Sequence, residues 1–206
     1  MLVEISLNGK FIKEDVEPDE TLYQFVRRHG CFSVKCGCET TNCGLCTVFL
    51  EDKPVLSCAV WAVQADKKKV TTLEGLQEEA AEFGAFIADQ GAEQCGFCNP
   101  GFIMNALALF RENPNPCEEE IKEYLAGNLC RCSGYEGQMR GILNFLQWKQ
   151  KKVTEQETDT EQKKEMETKQ KQGKATEQNQ EKELGQNQEN EIGQNREKEA
   201  GQGEGC

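Results

Sequence analysis

The stretch that decides this chain reads CETTNCGLCTVFLEDKPVLSC, residues 38–58. It spaces Cys38, Cys43 and Cys46 by four and then two residues, and leaves eleven more before Cys58. A second set follows in QCGFC, residues 94–98, and CRC, residues 130–132. Here two residues separate Cys95 from Cys98, one separates Cys130 from Cys132, and thirty-one lie between the pairs. Eight of the twelve cysteines therefore form two sets of four, one after the other. The opening MLVEISLNGK has neither the basic start nor the apolar core of a secretory leader, so a reducing, cytoplasmic setting is expected. Thiols there bind metal or stay free instead of pairing as disulfides.

Outward from the first set, the local patterns are those of a small mixed domain. LVEISL runs into Asn8-Gly9, a hairpin signal, and KFIKEDVE returns as far as Pro18. TLYQFVRRHG reads as a helix with Leu22, Phe25 and Val26 on one face and Gly30 as terminator. TVFLE and PVLSC predict a second hairpin around Asp52-Lys53, KVTTL reads as one more short strand, and Lys67-Lys68-Lys69 as a turn between strands. Two hairpins with a helix between them, and the cysteine loop between helix and second hairpin, resemble the β-grasp domain of plant-type [2Fe–2S] ferredoxins. The intervals of four, two and eleven residues resemble the ferredoxin register as well. Gly37, Gly44 and Thr40-Thr41-Asn42 suit a tight loop that aims backbone N–H groups at sulfur. Cys36 offers an alternative start, but only Cys38 gives the four-residue interval; Cys31 and Cys36 read as buried or free thiols. Structural zinc is the bland alternative, which Cys43-x2-Cys46 alone would suit but which does not require the whole register.

The second set sits among helical patterns. EAAEFGAFIADQG, FIMNALALFRE, EEEIKEYLAG and GILNFLQWK read as four helices, the second apolar nearly all round and so buried. Each pair of cysteines falls at a helix-to-helix corner. Two helical hairpins packed side by side would bring both corners to one end of a four-helix bundle, which explains the thirty-one-residue interval.

Composition changes near Lys149, where Glu, Gln, Lys, Asn and Gly take over. Too few apolar residues follow to offset chain entropy, so a low-complexity, disordered tail is expected over 151–206, ending in a free Cys206. The expected fold is thus α+β, with a β-grasp ferredoxin-type domain at 1–76, a helical [2Fe–2S] domain at 77–150 and the tail. A net charge of −12 argues against a nucleic-acid partner, and no apolar run approaches a membrane span.

QCGFCNPG with GNLCRCSGY, taken with GCETTNCGLCTV, resembles the signature of the iron–sulfur small subunits of the molybdenum hydroxylases. That family includes the xanthine, nicotinate and carbon monoxide dehydrogenases and the aldehyde oxidoreductases. The resemblance covers residues 2–148. It implies two [2Fe–2S] clusters, one on Cys38, Cys43, Cys46 and Cys58, the other on Cys95, Cys98, Cys130 and Cys132. It further implies an oxidoreductase subunit that passes electrons from a molybdopterin-binding large subunit to an FAD-binding medium subunit. Gln94 and Cys132 would lie against the pterin, although a loop glutamine satisfied by backbone is the plainer account of Gln94. Asn99 stands where the family usually has Thr, and Cys117 where a helix-capping Thr is usual. A free-standing two-cluster carrier is the rival reading; it leaves the helical domain unexplained. His29, the only histidine, is expected as a solvated side chain, and Trp61 and Trp148 as core or interface residues instead of redox relays.

Overall fold

The computed structural model describes residues 1–155, so the predicted tail lies almost wholly outside the described residues. Among the described residues there are five strands: β1 (Leu2–Leu7), β2 (Lys10–Asp15), β3 (Thr47–Leu50), β4 (Lys53–Leu56) and β5 (Lys69–Thr71). The helices are α1 (Leu22–Arg28), α2 (Gln77–Asp89), α3 (Asn99–Glu112) and α4 (Glu118–Leu125), followed by α5 over 136–155. None of the described helices is long and apolar enough to cross a membrane.

The strands form one mixed sheet in the order β2-β1-β5-β3-β4. Both tight hairpins turn through left-handed residues, Asn8 and Gly9 in the first (φ 49° and 79°) and Glu51 and Asp52 in the second (φ 50° and 63°). Paired positive φ values give the turn the twist of the flanking strands. The second turn is thus one residue earlier than its Asp52-Lys53 signal suggested, because Lys53 already pairs with Leu50. On β1, Val3, Ile5 and Leu7 alternate inward and meet Leu22, Phe25 and Val26 of α1. Thr21 caps α1, its hydroxyl accepting from the Gln24 N–H while the Gln24 carboxamide oxygen accepts from the Thr21 N–H. That arrangement satisfies two otherwise orphaned donors.

β3 belongs to two cores at once. Val48 faces the ferredoxin-like core, while Phe49 belongs to the helical one, a cluster that includes Phe83, Ile87, Phe102, Ile121, Ile142 and Phe145. Period-two alternation puts neighbours on opposite faces, so a single strand joins two hydrophobic cores. Val48 and Phe49 are both fully buried, each contributing about 1.5–3 kcal/mol by burial. Trp148 packs on Phe86 and Phe145, as expected of a core residue, whereas Trp61 is exposed.

Two expectations are corrected. His29 is only partly solvated: its Nε2 lies 2.5 Å from Glu14 Oε1, and its ring packs on Phe25. The last helix begins well before Gly141, at residue 136. At α4, Glu120 accepts from the Cys117 N–H at 2.7 Å, so half of a capping box survives the replacement by cysteine.

A polar knot fastens the link between the two cores. Glu74 accepts from the Ser33 N–H and hydroxyl at 2.8 and 2.6 Å and from the Thr72 hydroxyl at 2.6 Å. Burial raises the Glu74 carboxyl, but these donors outweigh it and hold the group below the ordinary carboxylate value. Asn8 completes the knot, its carbonyl accepting from the Thr72 N–H at 2.9 Å.

Candidate functional site

The first four thiols are gathered by the β3–β4 hairpin. Thr47 pairs with Leu56, so Cys46 stands just before that rung and Cys58 two residues after it. The Ser57 N–H and hydroxyl both donate to the Cys46 carbonyl, at 3.2 and 2.7 Å. The eleven-residue interval is this hairpin, and it brings the Cys46 and Cys58 sulfurs to 3.3 Å. Cys58 sits on a short 3-10 turn instead of the strand end. Cys38 and Cys43 come from the loop between α1 and β3 and interact with each other through their thiols.

The loop treats these two sulfurs differently. Backbone N–H groups of Asn42 and Thr40 point at Cys38, which with the Cys43 thiol lowers its pKa to about 6. Burial pushes Cys43 up, although the Leu45 and Gly37 N–H groups point at it. Burial, and then the adjoining Cys46, pushes Cys58 up to about 12. Cys36 is exposed and donates to the Cys38 carbonyl at 3.0 Å, while Cys31 is buried beside Asn8, outside the set.

The second four thiols come from two corners, Cys95 and Cys98 between α2 and α3, Cys130 and Cys132 between α4 and α5. Cys95 and Cys132 sulfurs are 3.6 Å apart, and Cys98 and Cys130 form the other pair. Burial, then Cys130, pushes Cys98 up to about 12. Burial resists ionisation of Cys130 too, but the Ser133 hydroxyl and N–H donate to its sulfur at 3.2 and 3.4 Å, and its pKa falls to about 7. The buried Gln138 amide reaches the Cys98 sulfur at 4.0 Å. Gln94 donates to the Cys132 carbonyl at 3.0 Å, joining the two corners through the residue the sequence singled out. Asn99 donates to Glu93 at 2.7 Å and accepts from the Cys98 thiol at 3.7 Å.

Each set is therefore two pairs of thiols. A tetrahedral metal with bonds of about 2.3 Å places neighbouring sulfurs about 3.8 Å apart, close to the 3.3 Å of Cys46–Cys58 and the 3.6 Å of Cys95–Cys132. Among the described residues no group of three or more potential ligands is arranged around a single ion. Two thiolates for each of two irons is what a [2Fe–2S] centre requires, and the donors present fit it.

The two sets also touch. Leu129 donates its N–H to the Cys43 carbonyl at 3.0 Å, and Leu129 precedes Cys130. A cleft of about 430 Å³ has Gly37, Cys43 and Leu45 on one side and Cys95, Cys98 and Cys130 on the other. Asn105 of α3 donates to Thr47 at 2.9 Å and to Asn128 at 2.7 Å, and Thr47 donates to the Gly44 carbonyl at 2.8 Å. Asn105, Asn128, Thr47 and Ser133 hydrogen-bond around the thiol sets, and sequence reasoning did not single them out. Asn128, just ahead of the CRC corner, carried the nearest signal.

A ferredoxin-like sheet joined to a helical unit, each presenting four paired thiols, defines a carrier of two [2Fe–2S] centres. The "2Fe-2S iron-sulfur cluster binding domain" family matches residues 5–83, and the "[2Fe-2S] binding domain" family matches residues 72–143. The chain is 41% identical over 136 residues to the nicotinate dehydrogenase small FeS subunit of Eubacterium barkeri, covering 65% of this chain and 87% of that one. It is 37% identical over 147 residues to the xanthine dehydrogenase iron-sulfur-binding subunit of Escherichia coli O157:H7, covering 69% and 92%. Quinoline 2-oxidoreductase from Pseudomonas putida 86 superposes with a TM-score of 0.64 at 37% identity, over 69% of this chain and 90% of that one. This chain belongs to the iron–sulfur small subunits of the molybdenum hydroxylases. It is an electron-transfer subunit of an oxidoreductase.

Proposed function

We propose that the chain relays electrons from a molybdopterin-containing partner subunit to FAD on a second partner, while an N-heterocyclic, purine-like substrate (or an aldehyde) is hydroxylated on the first. In this reading Cys38, Cys43, Cys46 and Cys58 hold one [2Fe–2S] centre, and Cys95, Cys98, Cys130 and Cys132 the other. The units are a β-grasp domain at 1–76 and a four-helix domain at 77–150. When bound, each centre accepts and releases one electron without a change of ligands. The residues' part is to fix the centres' positions and potentials. Backbone N–H groups of Thr40, Asn42 and Leu45, and the Ser133 hydroxyl, face sulfur and would stabilise added negative charge.

The observation that carries the proposal is the Leu129–Cys43 hydrogen bond of 3.0 Å, which joins a residue of one thiol set to the neighbour of a residue in the other. Gln94 and Cys132 are both exposed and bonded to each other, which suits a contact with the pterin-bearing partner. Phe97, Leu129 and Tyr135 are exposed around the same corner and suit a docked protein face. Free thiols at Cys31, Cys36 and Cys117 suit a reducing cytoplasm. The N-heterocycle preference rests on the relatives named for nicotinate, xanthine and quinoline.

Rapid-freeze EPR of the intact complex mixed with substrate tests the relay. Both centres should be reduced within one turnover, ahead of the flavin. Flavin reduction while both centres stay oxidised would end this reading.

A further inference from the structure

Lys35 is a charged residue of the first loop that no part of the relay has yet used. Its backbone is held from both sides. Arg27 donates to the Phe32 and Val34 carbonyls at 3.2 and 2.8 Å, and the Lys35 N–H donates to the Leu45 carbonyl at 3.2 Å. Val34 is buried. So anchored, Lys35 leaves the first loop and sets its ammonium 4.9 Å from the centre of the Phe97 ring. Phe97 lies inside the Cys95–Cys98 corner and lines the cleft shared with Cys43. A cation over an aromatic face is held by the ring quadrupole. Among the described residues Lys35 forms no salt bridge with a carboxylate.

We infer that Lys35 is a positioning charge that raises the reduction potential of the centre held by Cys95, Cys98, Cys130 and Cys132. The inference rests on the ligand assignment above. Two ferric irons, two sulfides and four thiolates sum to a net charge of about −2, and one added electron makes it about −3 with no bond formed or broken. Lys35 therefore stabilises the reduced form more than the oxidised one. The ammonium is seated on the Phe97 ring, inside the Cys95–Cys98 corner, so the effect is assigned to that centre.

The test is an EPR-monitored redox titration of the full chain, using Lys35→Met and Lys35→Arg. In Lys35→Met the second centre's reduced-to-oxidised ratio at fixed potential should fall about tenfold, a shift of about 59 mV for a one-electron couple. The first centre should move less. Lys35→Arg should restore most of the potential, and raising the salt should shrink the difference between the wild-type and Lys35→Met chains. Unmoved midpoints in Lys35→Met, or an arginine chain as low as the methionine one, would overturn the inference. Wild-type protein lacking two distinct signals would instead sink the ligand assignment, so the two failures are separable.

Discussion

Replacing Cys43 with alanine should erase one of two reduced-state EPR signals and leave the other, and Cys98→Ala should do the reverse. Alanine is the sharper choice because serine leaves an oxygen able to take iron. The reason for selectivity is geometric. Cys43 pairs with Cys38 and Cys98 with Cys130, so each variant strips one thiolate from one centre only. Alanine or serine at Cys31, Cys36 or Cys117 should preserve both signals, since none of the three belongs to a pair. Loss of the first signal on changing Cys36 would show that the first loop starts its register at Cys36. Loss of both signals from Cys43→Ala would show that the two units do not load independently. That outcome would tie cluster assembly to the contacts across the joint.

The second large effect is expected at that joint. A Cβ built on Gly101 of α3 falls 2.4 Å from the Gly44 carbonyl oxygen and 2.7 Å from the Leu45 Cα, both backbone atoms of the first cysteine loop. Gly101→Ala sets helix propensity, worth about 1 kcal/mol in its favour, against overpacking of about 1–3 kcal/mol or more. Backbone cannot step aside as a side chain can, so the clash should win. Gly84 in α2 is the matched control, because its Cβ would meet only Ile103 Cδ1 at 3.9 Å. Gly84→Ala should therefore stabilise by up to about 1 kcal/mol. For a domain of this size each kcal/mol moves the thermal midpoint by about 2–8 °C. Opposite shifts in the two variants are the expected result. A neutral or raised midpoint for Gly101→Ala would show that α3 does not press on the loop.

Much of this architecture was legible because periodicity and spacing carry it. The β1 alternation, the apolar face of α1 and the all-round apolar α3 each gave the element and its buried side. The cysteine intervals gave both sets, since eleven residues are one hairpin and thirty-one are two helices with their link. What could not be read was how the two units meet. Val48 and Phe49 look alike in sequence, and only the packed fold sends them to different cores. Asn105, Asn128 and Thr47 are ordinary polar residues until α3 lies against the loop. His29 misled for a similar reason: its partner Glu14 is distant in sequence and arrives by way of the β1–β2 hairpin. The start of the second turn was misplaced because Glu51 carries no glycine-like signal for its left-handed backbone.

The most direct measurement is an iron and acid-labile sulfide analysis of anaerobically purified full-length chain, with a reductive titration on the same sample. Two centres on eight thiolates require about four irons, about four sulfides and uptake of about two electrons per chain. The protein should be brown and give two EPR signals on reduction. A colourless protein holding zinc without sulfide, or a chain that binds about two irons and takes one electron, would contradict the account.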